Sequence, residues 1–125
     1  MAKPSFRVLI AEDDRQMSAI FCAVLRKQGY EVESVFDGAE ALRLLKAWHP
    51  HLLVLDVMLP VVDGFHVCQT LNEDHSFDPR PKIIIVSGRG SDWDQNLGAA
   101  CGIEDYLVKP FSNQLLVDKV KEILK

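Results

Sequence analysis

Short apolar runs alternate along this chain with longer stretches in which apolar residues return every three or four positions. Residues 6–11 read as a buried strand. Asp14 then caps a helix over 15–28 whose inward stripe is Met17, Ile20, Phe21, Val24 and Leu25, and Gly29 ends it. A second strand is predicted over 30–35. Asp37 and Gly38 open a second helix with Ala41, Leu42, Leu45 and Trp48 on its inner face, and Pro50 prevents its continuation. A third strand over 52–55 leads through a loop at 56–63 to a helix over 64–71. After a polar loop at 72–81 come a fourth strand over 82–86 and a helix capped by Ser91 or Asp92 and ending near Gly102. A short strand over 105–108 follows. Ser112 then caps a last helix with Leu115, Leu116, Val120, Ile123 and Leu124 inward.

Five β-α units in strict alternation imply an α/β fold, a doubly wound five-stranded parallel sheet with five helices covering both faces. The strands read as continuous apolar runs, as strands buried on both faces should. In such sheets the functional crevice lies beyond the carboxyl ends of the strands.

Composition narrows the picture. The 125 residues fit one domain over 1–125, and 48% of them are apolar, enough to bury a core. The net charge is −4 with no basic stripe, which excludes direct nucleic-acid binding as the expected function. No apolar run approaches the length of a bilayer span and residues 1–7 carry no secretory pattern, so a cytoplasmic protein with no membrane partner is expected. Cys22, Cys68 and Cys101 lack metal-ligand spacing and read as reduced core thiols. His49 and His51, separated by Pro50, read as an exposed turn rather than a metal pair.

The predicted strand ends carry the chemistry. The first ends in Glu12, Asp13 and Asp14, the third in Asp56, the fourth in Ser87 and the fifth in Lys109. Several carboxylates in one crevice repel one another, and a divalent cation relieves that; hard oxygen ligands suit Mg²⁺. A lysine and a hydroxyl beside them suit the oxygens of a phosphoryl group, with a carboxylate as nucleophile on phosphorus. Each residue also has a plainer role. Asp14 is better read as a helix cap, Asp63 and Gly64 as a turn and helix start, and Asp56, Ser87 and Lys109 could each be loop or surface residues. Four polar sites at four strand ends make the shared crevice the stronger reading.

Four motifs in order, VLIAEDD at 8–14, LVLDVMLPVVDG at 53–64, IIVSG at 84–88 and DYLVKPF at 105–111, resemble the receiver domain of two-component response regulators over nearly the whole chain. The resemblance implies a flavodoxin-like fold with strand order 2-1-3-4-5. It implies Asp56 as phospho-acceptor, Asp13 as a direct Mg²⁺ ligand, Glu12 acting beside it through water, and the Met58 backbone carbonyl as a further ligand. It also implies Ser87 as switch hydroxyl, Lys109 as the phosphate-pairing lysine, Tyr106 as the aromatic that turns inward, and a cis bond before Pro110. The implied partners are a sensor histidine kinase or phosphotransfer protein and a downstream protein or output domain, which reads the face of the helix over 91–102, the fifth strand and the last helix. The chain would then be a signalling switch that catalyses only its own phosphorylation and dephosphorylation. Ser87 stands where Thr is commoner, Glu12 where Asp is commoner and Gly88 where Ala is usual. Gly88 and Gly90 imply a mobile segment, and Arg89 is close enough in sequence to affect the phosphate. Two other readings use the same residues. A phosphatase of the haloacid-dehalogenase type would need a D-x-D nucleophile motif after the first strand, which EDD does not supply. A non-phosphorylated interaction module would be expected to lack an acidic ligand, the acceptor or the lysine.

Overall fold

Each helix starts where a short polar side chain takes over backbone N–H groups that have no partner of their own. Asp14 accepts from the N–H groups of Gln16 and Met17, Asp37 from Glu40, Asp63 from His66 and Ser112 from Leu115. The computed structural model describes residues 5–88 and 102–125. Its elements are β1 (Arg7–Ala11), α1 (Arg15–Lys27), β2 (Glu31–Val35), α2 (Gly38–Trp48), β3 (Leu52–Asp56), α3 (Gly64–Glu73), β4 (Lys82–Ser87), β5 (Asp105–Val108) and α4 (Asn113–Ile123). The helix expected over 91–102 lies outside the described residues, as do Arg89, Gly90 and Cys101, so four α-helices are seen among the described residues.

The strands form one parallel sheet in the order β2-β1-β3-β4-β5. Alternation along the three central strands sorts their side chains into two rows. Leu9, Leu53, Leu55, Ile83 and Ile85 face α2 and α3, in a core with Ala41, Leu45, Val67 and Leu71. Val8, Ile10, Leu52, Val54, Ile84 and Val86 face α1 and α4, in a core with Phe21, Leu25, Leu116 and Val120. β2 departs from the expected continuous apolar run. It is an edge strand, with Val32 and Val35 buried in opposite cores and Glu31 and Glu33 in water. With one sheet neighbour instead of two, only part of it needs cover.

Two helical stripes hold except at one residue each, with Met17, Phe21, Val24 and Leu25 in α1 and Leu116, Val120, Ile123 and Leu124 in α4 in or against the core. In α1 the buried residues are Ser18, Phe21, Cys22 and Leu25, and Ile20, expected inside, is 49% exposed. In α4 Val117 is buried and Leu115 is exposed. Periodicity singled out the covered face, but an extra apolar residue beside it in each helix was counted with it. α3 runs two residues further than expected, and the polar loop holds a 3₁₀ turn at His75–Phe77. Asp74 accepts from the Ser76 N–H to shape that turn, and Phe77 is buried beneath Lys46.

At the amino-terminal pole of the sheet, His49 closes α2 in the left-handed region at φ 52°. His51 Nδ1 accepts the Arg7 N–H at 2.9 Å, so the two histidines form the expected turn. Cys22 and Cys68 are buried, one in each core. No helix among the described residues is long and apolar enough to cross a membrane.

The exposure of Ile20 can be tested directly. Leu25→Ala should lower the unfolding free energy by about 2–5 kcal/mol, and Ile20→Ala by less than about 0.5 kcal/mol, in urea titrations followed by circular dichroism. Equal losses would overturn the assignment of the buried face.

Candidate functional site

The row that faces α1 and α4 changes character where the strands end. Val8 and Ile10 lead to Glu12, Leu52 and Val54 lead to Asp56, and Leu107 leads to Lys109. Alternation therefore delivers two carboxylates and an ammonium to the same side of the sheet, at its carboxyl pole. Glu12 is 2% exposed and Asp56 4%. Lys109 Nζ donates to Glu12 Oε1 at 2.6 Å and to Asp56 Oδ2 at 3.0 Å. The remaining oxygens are also engaged. Asp56 Oδ1 accepts the Met58 N–H at 2.9 Å, and Glu12 Oε2 accepts the Asp14 N–H at 3.1 Å.

Asp13 is exposed at the mouth, and one carboxylate oxygen from each of Glu12, Asp13 and Asp56 lies within 4.8 Å of the others. Hard oxygen donors so close together, facing a single ammonium, are a donor set for a small divalent cation. The structure thus brings together Glu12, Asp13, Asp56 and Lys109, while Asp14 is the cap that the sequence implied.

Ser87 and Tyr106 belong to the other row. Ser87 follows Ile83 and Ile85 along β4, and Tyr106 is in register with Ile85. Ser87 is buried, and its carbonyl accepts the Lys109 N–H at 2.7 Å, which ties the end of β4 to the lysine. Tyr106 is half-buried against the core under α2 and α3. Met58 lies on the rim with its side chain 69% exposed. The Lys109–Pro110 peptide is cis. The sequence reading missed that Asp56 is held by an N–H of its own loop, although an aspartate two residues before such a donor is a recognisable turn signal. It also missed the contact between Gly38 and Pro60, for which Asp37-Gly38 gave no signal beyond a helix start.

The chain matches the family model of the response regulator receiver domain over residues 8–121. It belongs to the response regulator receiver family. The probable transcriptional regulator ycf27 of Cyanophora paradoxa is 36% identical over 95% of this chain, and the chain spans about half (48%) of that relative's length. A putative response regulator from Chloroflexus aurantiacus has the same fold, with a TM-score of 0.85, 34% identity and 97% and 98% of the two chains covered. The receiver domain of the Pseudomonas aeruginosa sensor histidine kinase PA1611 covers 98% of this chain and 100% of its own at a TM-score of 0.84 and 27% identity; its structure has a magnesium ion coordinated in the active-site cleft. This receiver is thus a phosphorylatable, signal-receiving domain of two-component systems.

The electrostatics of the receiver's acidic crevice are uneven. Burial, and then the Asp56 carboxyl beside it, push the Glu12 carboxyl up from 4.5 to about 7, against the pull of Lys109 and the Asp14 N–H. Burial alone would lower the Lys109 ammonium, but its bonds to Glu12 and Asp56 outweigh that and raise it. Glu12 therefore binds its proton more tightly in the folded chain than in the unfolded one. That contribution to stability is complete below about pH 4.5 and is lost as pH rises through about 7. In chelator-treated protein, the urea midpoint should fall between about pH 5 and pH 8, and Glu12→Gln should flatten this fall. An unchanged slope in the variant would show that Glu12 is not the titrating group.

Proposed function

We propose that this receiver takes a phosphoryl group onto the carboxylate of Asp56 and releases it again by hydrolysis. The observation that carries this reading is the bond from Lys109 Nζ to Asp56 Oδ2, inside a cluster of three carboxylates. In the transfer, an Asp56 oxygen attacks phosphorus as the bond to the donor breaks, and the leaving group carries off the electron pair of that bond. Lys109 already sits on both Asp56 and Glu12, so it needs little rearrangement to meet a phosphoryl oxygen. The Met58 N–H keeps the acceptor's other oxygen oriented.

Glu12, Asp13, Asp56 and the Met58 carbonyl would hold Mg²⁺, with Glu12 acting largely through water. When bound, the ion offsets charge on the acceptor and phosphoryl oxygens. The donor set fits such an ion, and a receiver of the same fold carries magnesium in its cleft.

The donor is a phosphohistidine on a sensor histidine kinase or phosphotransfer protein. Ser87 then moves toward the phosphate, Tyr106 turns into the space it leaves, and a downstream protein or output domain reads the changed face near β5 and α4. The in-register placement of Tyr106 beside the Ser87 row supports this coupling, and the regulator ycf27 supports an output in transcription.

Incubation with Mg²⁺ and acetyl phosphate, followed by intact-mass measurement, should show one added phosphoryl group on wild type. Asp56→Asn and chelator-treated wild type should show none. Equal labelling of Asp56→Asn would reject Asp56 as the acceptor.

A further inference from the structure

The loop that joins Asp56 to α3 is held more tightly than a seven-residue surface connection requires. Its base is closed by Val57 N–H to the Val86 carbonyl at 3.1 Å and Gly64 N–H to the Val57 carbonyl at 2.9 Å, and Leu59 is buried beneath it. At its outer end the Pro60 carbonyl accepts two N–H groups, from Val62 at 2.8 Å and from Gly38 at 3.1 Å.

The first of these bonds closes a three-residue turn centred on Val61, at φ +70°. A β-branched residue in that region is a genuine outlier, and packing of its own side chain does not compensate it, since Val61 is 79% exposed. The second bond comes from the first residue of α2. A Cβ at Gly38 would stand 1.7 Å from the Val62 oxygen and 2.8 Å from the Val62 Cβ, so only glycine lets the helix reach the loop. Strain of this kind persists only where surrounding structure enforces it. Here the enforced segment carries Met58, whose N–H holds Asp56.

We propose that Gly38 is a positioning residue for the acceptor site. Acting through the Pro60 carbonyl, it holds the 57–63 loop, against the strain at Val61, in the one shape that presents Met58 to Asp56 and to a bound cation. The role rests on the Asp56 chemistry proposed above and adds to it a support from α2, an element that contributes no side chain to the crevice.

Mg²⁺ affinity, measured by calorimetry with the metal alone, separates positioning from stability. Gly38→Ala should weaken Mg²⁺ binding roughly tenfold, the scale seen when a ligand's supporting contact is lost. It should also slow acetyl phosphate labelling at limiting Mg²⁺. Val61→Pro fixes φ near −65° and so opens the turn at an exposed position, where it should keep the fold while weakening Mg²⁺ binding in the same direction. Gly29→Ala, at φ +97° on the far pole, should lose stability and keep wild-type affinity. Wild-type Mg²⁺ affinity in both loop variants overturns the positioning role. Should Gly38→Ala fail to fold by circular dichroism, wild-type affinity in Val61→Pro overturns it alone. If wild type itself neither binds Mg²⁺ nor takes label, the Asp56 chemistry fails and the positioning role with it.

Discussion

Three carboxylates gathered within 4.8 Å at one pole of a sheet, with one ammonium among them, are the constraint to which the rest of the molecule answers. Glu12 and Asp56 are almost wholly buried, and burying a carboxylate is expensive unless its oxygens are hydrogen-bonded and its charge is met. Lys109 spans the two and two backbone N–H groups take the other oxygens, yet burial and the neighbouring Asp56 carboxyl still push the Glu12 carboxyl up to about 7. The site is therefore electrostatically unfinished, and a site in that condition favours a cation. Such an arrangement survives only on a rigid support. The apolar rows of β1, β3 and β4, packed on both faces, supply it.

Much of this was legible in the sequence, for identifiable reasons. Strand and helix order followed from short apolar runs and from the caps Asp14, Asp37, Asp63 and Ser112, because capping is a local interaction. The convergence of Glu12, Asp13, Asp56 and Lys109 followed from the rule that parallel sheets work at their carboxyl ends. That Ile20 and Leu115 face water was not legible, because they are as apolar as the residues buried beside them. Nor was the hold of Gly38 on Pro60, a contact between residues remote in sequence that rests on the absence of a side chain. β2 was read as a fully buried strand because its place at the edge is a property of the sheet and not of EVESV.

The two rows also divide the labour of the site. Asp56 and Lys109 continue the row over α1 and α4, whereas Ser87 and Tyr106 continue the row over α2 and α3. The proposed chemistry and the proposed readout thus begin on opposite sides of one sheet. They meet where β4 ends, at the bond between the Ser87 carbonyl and the Lys109 N–H. An event at Asp56 has a short covalent and hydrogen-bonded route to the neighbouring strand, with no need to deform the core.

Parity has a further meaning for β4. Its six residues pair with β3 on one edge and β5 on the other. Side chains in a strand repeat every second position, so inserting or deleting one residue within Lys82–Ser87 would exchange the two rows from that point on. Ser87 would then turn to the side of Asp56, and the apolar residues before it would trade cores. Length in this strand is a kind of reading frame. Exchanges among Ile, Val and Leu are conservative spellings within it, but a frameshift of a single residue would erase the distinction between the side that carries Asp56 and Lys109 and the side that carries Ser87 and Tyr106.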